Sequence, residues 1–357
     1  MPKAAVVREL NLPLTVEDLD LDSPKAGEIK IRLGASGVCH SDLSIQNGTM
    51  PMAFPMVLGH EGAGVVEEVG EGVDSLKVGD HVVVSWVPQC GVCFYCTRGQ
   101  GHMCESGMLG MMTGGLPDGT KRWHKGDEEI GQMACTGVFA EEAVITATAA
   151  VRVDDDIPLE IAALIGCGVL TGVGAALNTA DIAEGGSVAV IGCGGVGLNV
   201  IQGAKIAGAE TIIAVDMLPG KLEMATAFGA THTVNPADGD PVGKVKDLTE
   251  NRGVDSAFEV IGLKKTIAQV VDMARRGGEV VLVGVAPPDV MLEVPATFGM
   301  LVNSKTIKGC WYGSSNVQTD VPRLLGYYKE GKLKLDELIS RRIKLDEVND
   351  AFDALQT

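Results

Sequence analysis

Between Ser187 and Asp216 the apolar positions fall in the order strand, turn, helix, strand. Val188, Ala189, Val190 and Ile191 form a short unbroken apolar run, as in a strand buried on both faces. Gly192, Gly194 and Gly197 follow with G-x-G-x-x-G spacing. Val196, Val200, Ile201, Ala204 and Ala207 then recur along one side of a helix, and a second apolar run from Thr211 to Val215 ends on Asp216. Further buried strands are expected at 231–234, 254–260, 279–283 and near 306–308, with helical patterns between them. This half of the chain therefore reads as α/β, a doubly wound parallel sheet of six strands. The first 150 residues have a different period. Ile29, Ile31 and Leu33 alternate with polar neighbours, and 64–69 and 78–84 are further strands separated by glycine-rich turns, so this part reads mainly as β.

Three other segments carry weaker patterns. Residues 106–137 are polar, glycine-rich and irregular, with Asp118-Gly119 as a turn, and read as a long surface excursion. Asp154-Asp155-Asp156-Ile157-Pro158 reads as a helix start, because acids suit the positive end of the helix dipole. Residues 164–180 are an apolar helical stretch that holds Cys167. Beyond about residue 311 the chain is helical and polar.

The glycine spacing changes meaning in its context. A strand before it, a helix after it and an acid 24 residues beyond Gly192 make a dinucleotide site. Gly192 permits the tight turn, Gly194 lets the backbone approach a pyrophosphate, and Gly197 lets the helix pack close to the strand. The helix N-terminus faces the phosphates. Asp216 can accept hydrogen bonds from a ribose diol and would repel a 2′-phosphate. No arginine follows it in MLPGK, so NAD is expected over NADP.

Length and composition narrow the class. The chain has 357 residues, enough for two domains, and 46% are hydrophobic. A net charge of −18 makes a nucleic-acid or anionic-membrane partner unsuitable. The start, MPKAAVVREL, has no signal-peptide core, and no apolar run approaches the ~20 residues of a membrane span, so a cytoplasmic location is expected. In that compartment the nine cysteines read as metal ligands or free thiols rather than disulfides.

Cys90, Cys93, Cys96 and Cys104 form C-x2-C-x2-C-x7-C. Four thiolates this close can enclose one tetrahedral Zn²⁺ and order a loop that lacks a core pattern. An iron–sulfur cluster is the rival occupant. Cys39, His60 and Cys167 are dispersed and glycine-flanked. Singly each could be a core residue; together, two thiolates and an imidazole make the open zinc set known for alcohol dehydrogenase.

GVCHSD, GHEGAGVVEEVGEGV, the spaced cysteines, GCGVLTG and VIGCGGVG occur in one order. In that order they resemble the zinc-dependent medium-chain alcohol dehydrogenases over nearly the whole chain. The resemblance implies a GroES-like β-rich catalytic domain at 1–168, an NAD-binding Rossmann domain at 169–310 and a return segment at 311–357, with the active site in the cleft between the domains. It implies catalytic zinc on Cys39, His60 and Cys167, and structural zinc on Cys90, Cys93, Cys96 and Cys104. Ser41 matches the hydroxyl that hydrogen-bonds the alcohol and passes on its proton. Asp42 matches the carboxylate that orients the zinc histidine, and Glu61 the acid behind the metal. His40, Thr171, Gly192, Gly194, Gly197, Asp216 and Lys221 match cofactor contacts. The 106–137 insert resembles that of the longer, dimeric branch, so a homodimer is expected.

This chain departs from the family pattern in three places. Ser44 stands where many relatives have a histidine at the solvent end of the proton path. His40 stands where an arginine often holds the pyrophosphate, and an imidazole lacks the guanidinium fork. Relatives continue into a short final strand beyond the position of Leu355-Gln356-Thr357. Met50, Trp86 and Met108 fall where relatives line the substrate pocket. They describe an apolar pocket without a fixed cation, and 106–112 has no arginine to hold a glutathione carboxylate. A primary alcohol that is aromatic, allylic or medium-chain is expected, oxidised to the aldehyde with hydride transfer to NAD. Two rivals stand beside this reading: a zinc-dependent reductase of an activated double bond, and a non-catalytic zinc-stabilised binding protein. The presence of Ser41, Glu61 and a complete glycine turn opposes both.

Overall fold

A computed structural model gives the protein's structure over residues 1–355; Gln356 and Thr357, the last of the terminal positions compared above, lie outside the described residues. The chain divides into two compact units. The first comprises Met1–Cys167, Asn316–Gly326 and the segment from Leu335 on; the second comprises Gly168–Ser315 and Tyr327–Lys334.

In the first unit the period-2 segments form a five-stranded antiparallel sheet. Its strands are β1 (Glu28–Gly37), β2 (Glu61–Val69), β3 (His81–Val84), β4 (Glu142–Thr146) and β5 (Ala150–Val153), in the spatial order β4-β1-β2-β3-β5. Ile29, Ile31, Val66, Val82, Val84, Ala143 and Ile145 bury one face in a shared core. The β1–β2 register pairs Gly37 with Glu61, which puts the start of β2 beside the end of β1. From there the chain enters helix α1 (His40–Gln46). Cys39 is extended at its N-cap, and the Asp42 side chain accepts the Cys39 N–H at 2.9 Å, closing the first turn.

A second sheet in this unit corrects the reading of 106–137 as a surface excursion. Residues Glu105–Thr113 form helix α2, and Trp123–Lys125 and Glu128–Gln132 pair as antiparallel strands. Trp123 and Ile130 are fully buried, in one core with Ala4, Val6, Leu19 and Val57. Arg122 is also fully buried and grips the Glu28 carboxylate through Nε at 2.9 Å and through its Nη2. The segment's polar and glycine content concealed this, because its one buried charge is neutralised by a partner 94 residues away. The Asp118-Gly119 turn is present: Gly119 has φ +78°, and Asp118 accepts the Thr120 N–H at 2.9 Å.

A continuous helix, α3 (Leu159–Thr179), follows the three aspartates. It is long and apolar enough to cross a membrane by length and composition, which the absence of a long apolar run had not led us to expect. However, 72% of its most apolar window is buried inside the protein, as in a core helix. Two π-helical stretches interrupt it, Ile165–Val169 and Ala175–Thr179.

The second unit is a six-stranded parallel sheet: β6 (Ser187–Ile191), β7 (Thr211–Val215), β8 (His232–Val234), β9 (Val254–Glu259), β10 (Ala274–Leu282) and β11 (Thr306–Gly309). The spatial order is β8-β7-β6-β9-β10-β11, that of the Rossmann fold, with every neighbouring pair parallel. Helices α4 (Gly195–Ile206), α5 (Pro219–Phe228), α6 (Pro241–Asp247) and α7 (Lys264–Met273) connect the strands. Ala189, Ile191, Ile213, Val215, Ala257 and Val280 are buried in its core, as unbroken apolar runs require.

Candidate active site

The first unit gathers Cys39, His60, Glu61 and Cys167 so that their donor atoms all lie within 4.8 Å of one another. Each arrives by a local device. Cys39 caps α1. Glu61 opens β2 and His60 stands just before it, after Gly59, whose φ of +89° and approach to Phe139 leave no space for a side chain. Cys167 sits in the first π-helical stretch of α3, where the widened turn shifts the helix register. Gly37 is a further requirement that the sequence did not announce: a Cβ there would stand 2.2 Å from Glu61 Oε2. Only the β1–β2 register reveals it.

Asp42, fully buried, ties the group together. Its Oδ1 lies 3.1 Å from His60 Nδ1 and accepts the Gly59 N–H at 3.1 Å. With Nδ1 so occupied, the imidazole's other nitrogen is left for a ligand. The Trp86 ring stands edge-on to His60, with centroids 6.3 Å apart, and is itself buried. Ser41 Oγ lies 3.7 Å from Cys39 Sγ.

The electrostatics of the group suit a cation. A hydrogen bond with Cys167, joined by His60, holds the Cys39 thiol well below its ordinary range against the effect of burial. Burial opposes the charged form of His60, yet Asp42 and then Cys39 outweigh it and raise its proton affinity. Burial, and then the charge on Cys39, push Glu61 up to about 8. Two thiolates, an imidazole and a carboxylate suit Zn²⁺. Glu61, read from the sequence as standing behind the metal, is within the donor group itself.

Cys90, Cys93, Cys96 and Cys104 also converge within 4.8 Å. Backbone N–H groups point at the sulfurs: Cys90 N to Cys104 Sγ at 3.3 Å, Cys93 N to Cys90 Sγ at 3.4 Å and Cys96 N to Cys93 Sγ at 3.5 Å. Such donors favour thiolates, and chiefly the N–H of Cys96 holds Cys93 down at about 6. The cluster could hold one tetrahedral ion with no open position.

In the second unit the glycine turn has its expected form. Gly192 has φ +97°, and a Cβ on Gly197 would lie 1.8 Å from the Gly192 carbonyl oxygen. Beside Gly194 there is open space. Asp216, at the carboxyl end of β7, accepts the N–H of Cys193 at 2.9 Å and of Leu218 at 3.0 Å, so its carboxylate is fixed beside the turn. Thr171 lies within α3, and Lys221 is exposed in the first turn of α5. In the first unit, His40 is the exposed first residue of α1. Met50 is half-buried shortly after that helix, and Met108 is half-buried on α2.

Comparisons with known proteins decide the family. Residues 25–155 match the alcohol dehydrogenase GroES-like domain, and residues 195–328 match the zinc-binding dehydrogenase family. An NDMA-dependent alcohol dehydrogenase of Amycolatopsis methanolica is 42% identical over 99% of this chain and 95% of its own. The chain belongs to the zinc-dependent medium-chain alcohol dehydrogenases. A class-3 alcohol dehydrogenase of Cereibacter sphaeroides is 39% identical over 99% of this chain and 96% of its own. The crystal structure of benzyl alcohol dehydrogenase from Acinetobacter calcoaceticus superposes with a TM-score of 0.94 at 31% identity, covering 99% and 96% of the two chains. Membership makes this an enzyme of zinc-dependent alcohol oxidation, acting on a small-molecule alcohol.

Proposed function

We propose that the enzyme oxidises a primary alcohol, aromatic, allylic or medium-chain, to the aldehyde and runs the reverse, with NAD as hydride acceptor. The observation that carries this reading is the convergence of Cys39, His60 and Cys167, with Asp42 behind the imidazole. In this reading these three residues, with Glu61 in reach, hold the catalytic zinc, and the four-cysteine cluster holds a structural one. When bound, zinc polarises the alcohol oxygen and lowers its pKa, and the nicotinamide accepts hydride. The chain's own residues do the rest. Asp42 keeps the proton on His60 Nδ1 and so fixes the tautomer. Ser41 accepts a hydrogen bond from the alcohol and, as it takes that proton, gives up its own towards solvent, so it relays the proton rather than keeping it. Trp86, with Met50 and Met108, contributes the apolar wall that excludes water and favours an apolar R group.

Asp216 supports NAD over NADP. Its carboxylate is already held by two backbone N–H groups and would meet a 2′-phosphate with like charge. His40, Thr171, Gly192, Gly194, Gly197 and Lys221 complete the proposed cofactor contacts. The domain assignment is that of the sequence reading: a catalytic zinc domain at 1–168, an NAD domain at 169–310 and a return segment at 311–357. Nine cysteines without a disulfide suit the reducing cytoplasm. Exposed Met291, Phe298 and Leu301 on the second unit support a homodimer, because such apolar side chains favour being covered.

The NDMA-dependent relative motivates a second reading, in which turnover needs NDMA rather than free NAD. Absorbance at 340 nm separates the two. The enzyme with benzyl, cinnamyl and hexyl alcohols and NAD should form NADH continuously. Turnover seen only on adding NDMA would favour the second reading, and no oxidation of any alcohol would overturn both.

A further inference from the structure

A cavity of about 650 Å³ opens at the end of the parallel sheet opposite the glycine turn. The turn follows the carboxyl end of β6. The cavity is built instead from residues that precede β9 and β11 and from the first residues of β10. Because all six strands run the same way, these are the two opposite edges of the sheet. Lys246, Arg252, Arg275, Arg276 and Lys305 line the cavity, and Asp272 is the single acid among its lining residues.

Pairing does not cancel this charge. Arg252 binds Glu250 at 2.7 Å and Arg275 binds Asp255 at 2.6 Å. Lys246, Arg276 and Lys305 have no ion-pair partner among the described residues. Helix ends explain part of the arrangement. Lys246 stands in the last turn of α6, and Lys305 Nζ donates to the Val271 carbonyl near the end of α7, so both meet the negative pole of a helix. That does not account for Arg276, which lies on β10, nor for the gathering of five cations around one cavity. Burial depresses the proton affinity of Lys305, Asp272 opposes the shift and Lys246 adds to it. All this occurs in a chain with net charge −18.

We infer that this cavity is an anion site, distinct from the dinucleotide site, for a small molecule carrying a pyrophosphate or two phosphate groups. Guanidinium groups match phosphate oxygens two at a time, and lysines add unpaired point charges. The volume lies in the range of small-molecule sites. A nucleic-acid polymer is disfavoured, because the rest of this acidic surface would repel it.

The test is isothermal titration of inorganic pyrophosphate into the full zinc-loaded enzyme with NADH in excess. One equivalent should bind, more weakly as salt rises. Arg276→Gln/Lys305→Gln should weaken binding by at least ~tenfold with kcat for alcohol unchanged. No binding at millimolar pyrophosphate, or equal affinity in the double variant, overturns the proposal. If the double variant does not fold, Arg252→Gln serves instead, since its side chain is exposed: severalfold weaker binding supports the site and unchanged binding refutes it. The substitutions lie at the opposite sheet edge from the glycine turn. Their effect is therefore read independently of whether NADH binds as proposed.

Discussion

Asp42 accepts three hydrogen-bond contacts at once, from Cys39, Gly59 and His60. An amide in its place keeps the size but replaces one acceptor oxygen with a donor. Asp42→Asn should lower zinc affinity at the Cys39–His60–Cys167 group by about 10–100-fold without unfolding the chain. Competition with a chromophoric chelator measures this, and an unchanged affinity would mean that Asp42 does not set the imidazole. Glu61 yields a pH prediction for the metal-stripped protein. Its folded pKa is raised to about 8 from an ordinary 4.5. Between those values the folded protein keeps a proton that the unfolded chain has released, so stability falls as pH rises through that window. Glu61→Gln removes the titration. It should raise the Tm of stripped protein by several degrees at pH 8 and little at pH 4.5; an equal gain at both would show that charge is not the cause. The residues that converge there were legible in the sequence, because thiols and an imidazole in glycine-flanked contexts carry their chemistry in their identity. Gly37 was not, since its importance lies in a strand register that no local pattern encodes.

At the level of elements, the glycine turn joins β6 to α4 through one close approach. A Cβ at Gly197 would lie 1.8 Å from the Gly192 carbonyl oxygen, and backbone cannot yield as a flexible side chain can. Gly197→Ala should therefore push α4 away from β6, cost about 1–3 kcal/mol of stability and abolish tight NADH binding. Thermal melts and NADH fluorescence report the two effects, and a variant with native affinity would show that the turn relaxes. Strand and helix order in this unit was readable because buried parallel strands are unbroken apolar runs with glycine punctuation. Residues 106–137 were misread for the opposite reason. Their short strands bury few apolar residues of their own, and the buried charge of Arg122 is balanced by Glu28 in a distant strand. The π-helical stretches of α3 were equally invisible, as they keep the composition of an ordinary helix.

For the whole molecule, an acidic chain concentrates its chemistry in a few places of different charge. A cluster of four thiols and another of two thiols, an imidazole and a carboxylate invite cations, and one basic cavity invites an anion. The central claim is that the Cys39–His60–Cys167 group holds the zinc at which alcohol is oxidised with NAD. It is tested most directly by metal content and NADH formation measured on the same preparations of wild type and Cys167→Ala. Wild type should carry two zinc ions per chain and reduce NAD with benzyl alcohol. The variant should keep one zinc, keep its fold and form no NADH. A Cys167→Ala protein that retains both zinc ions, or that still reduces NAD at the wild-type rate, would contradict the account.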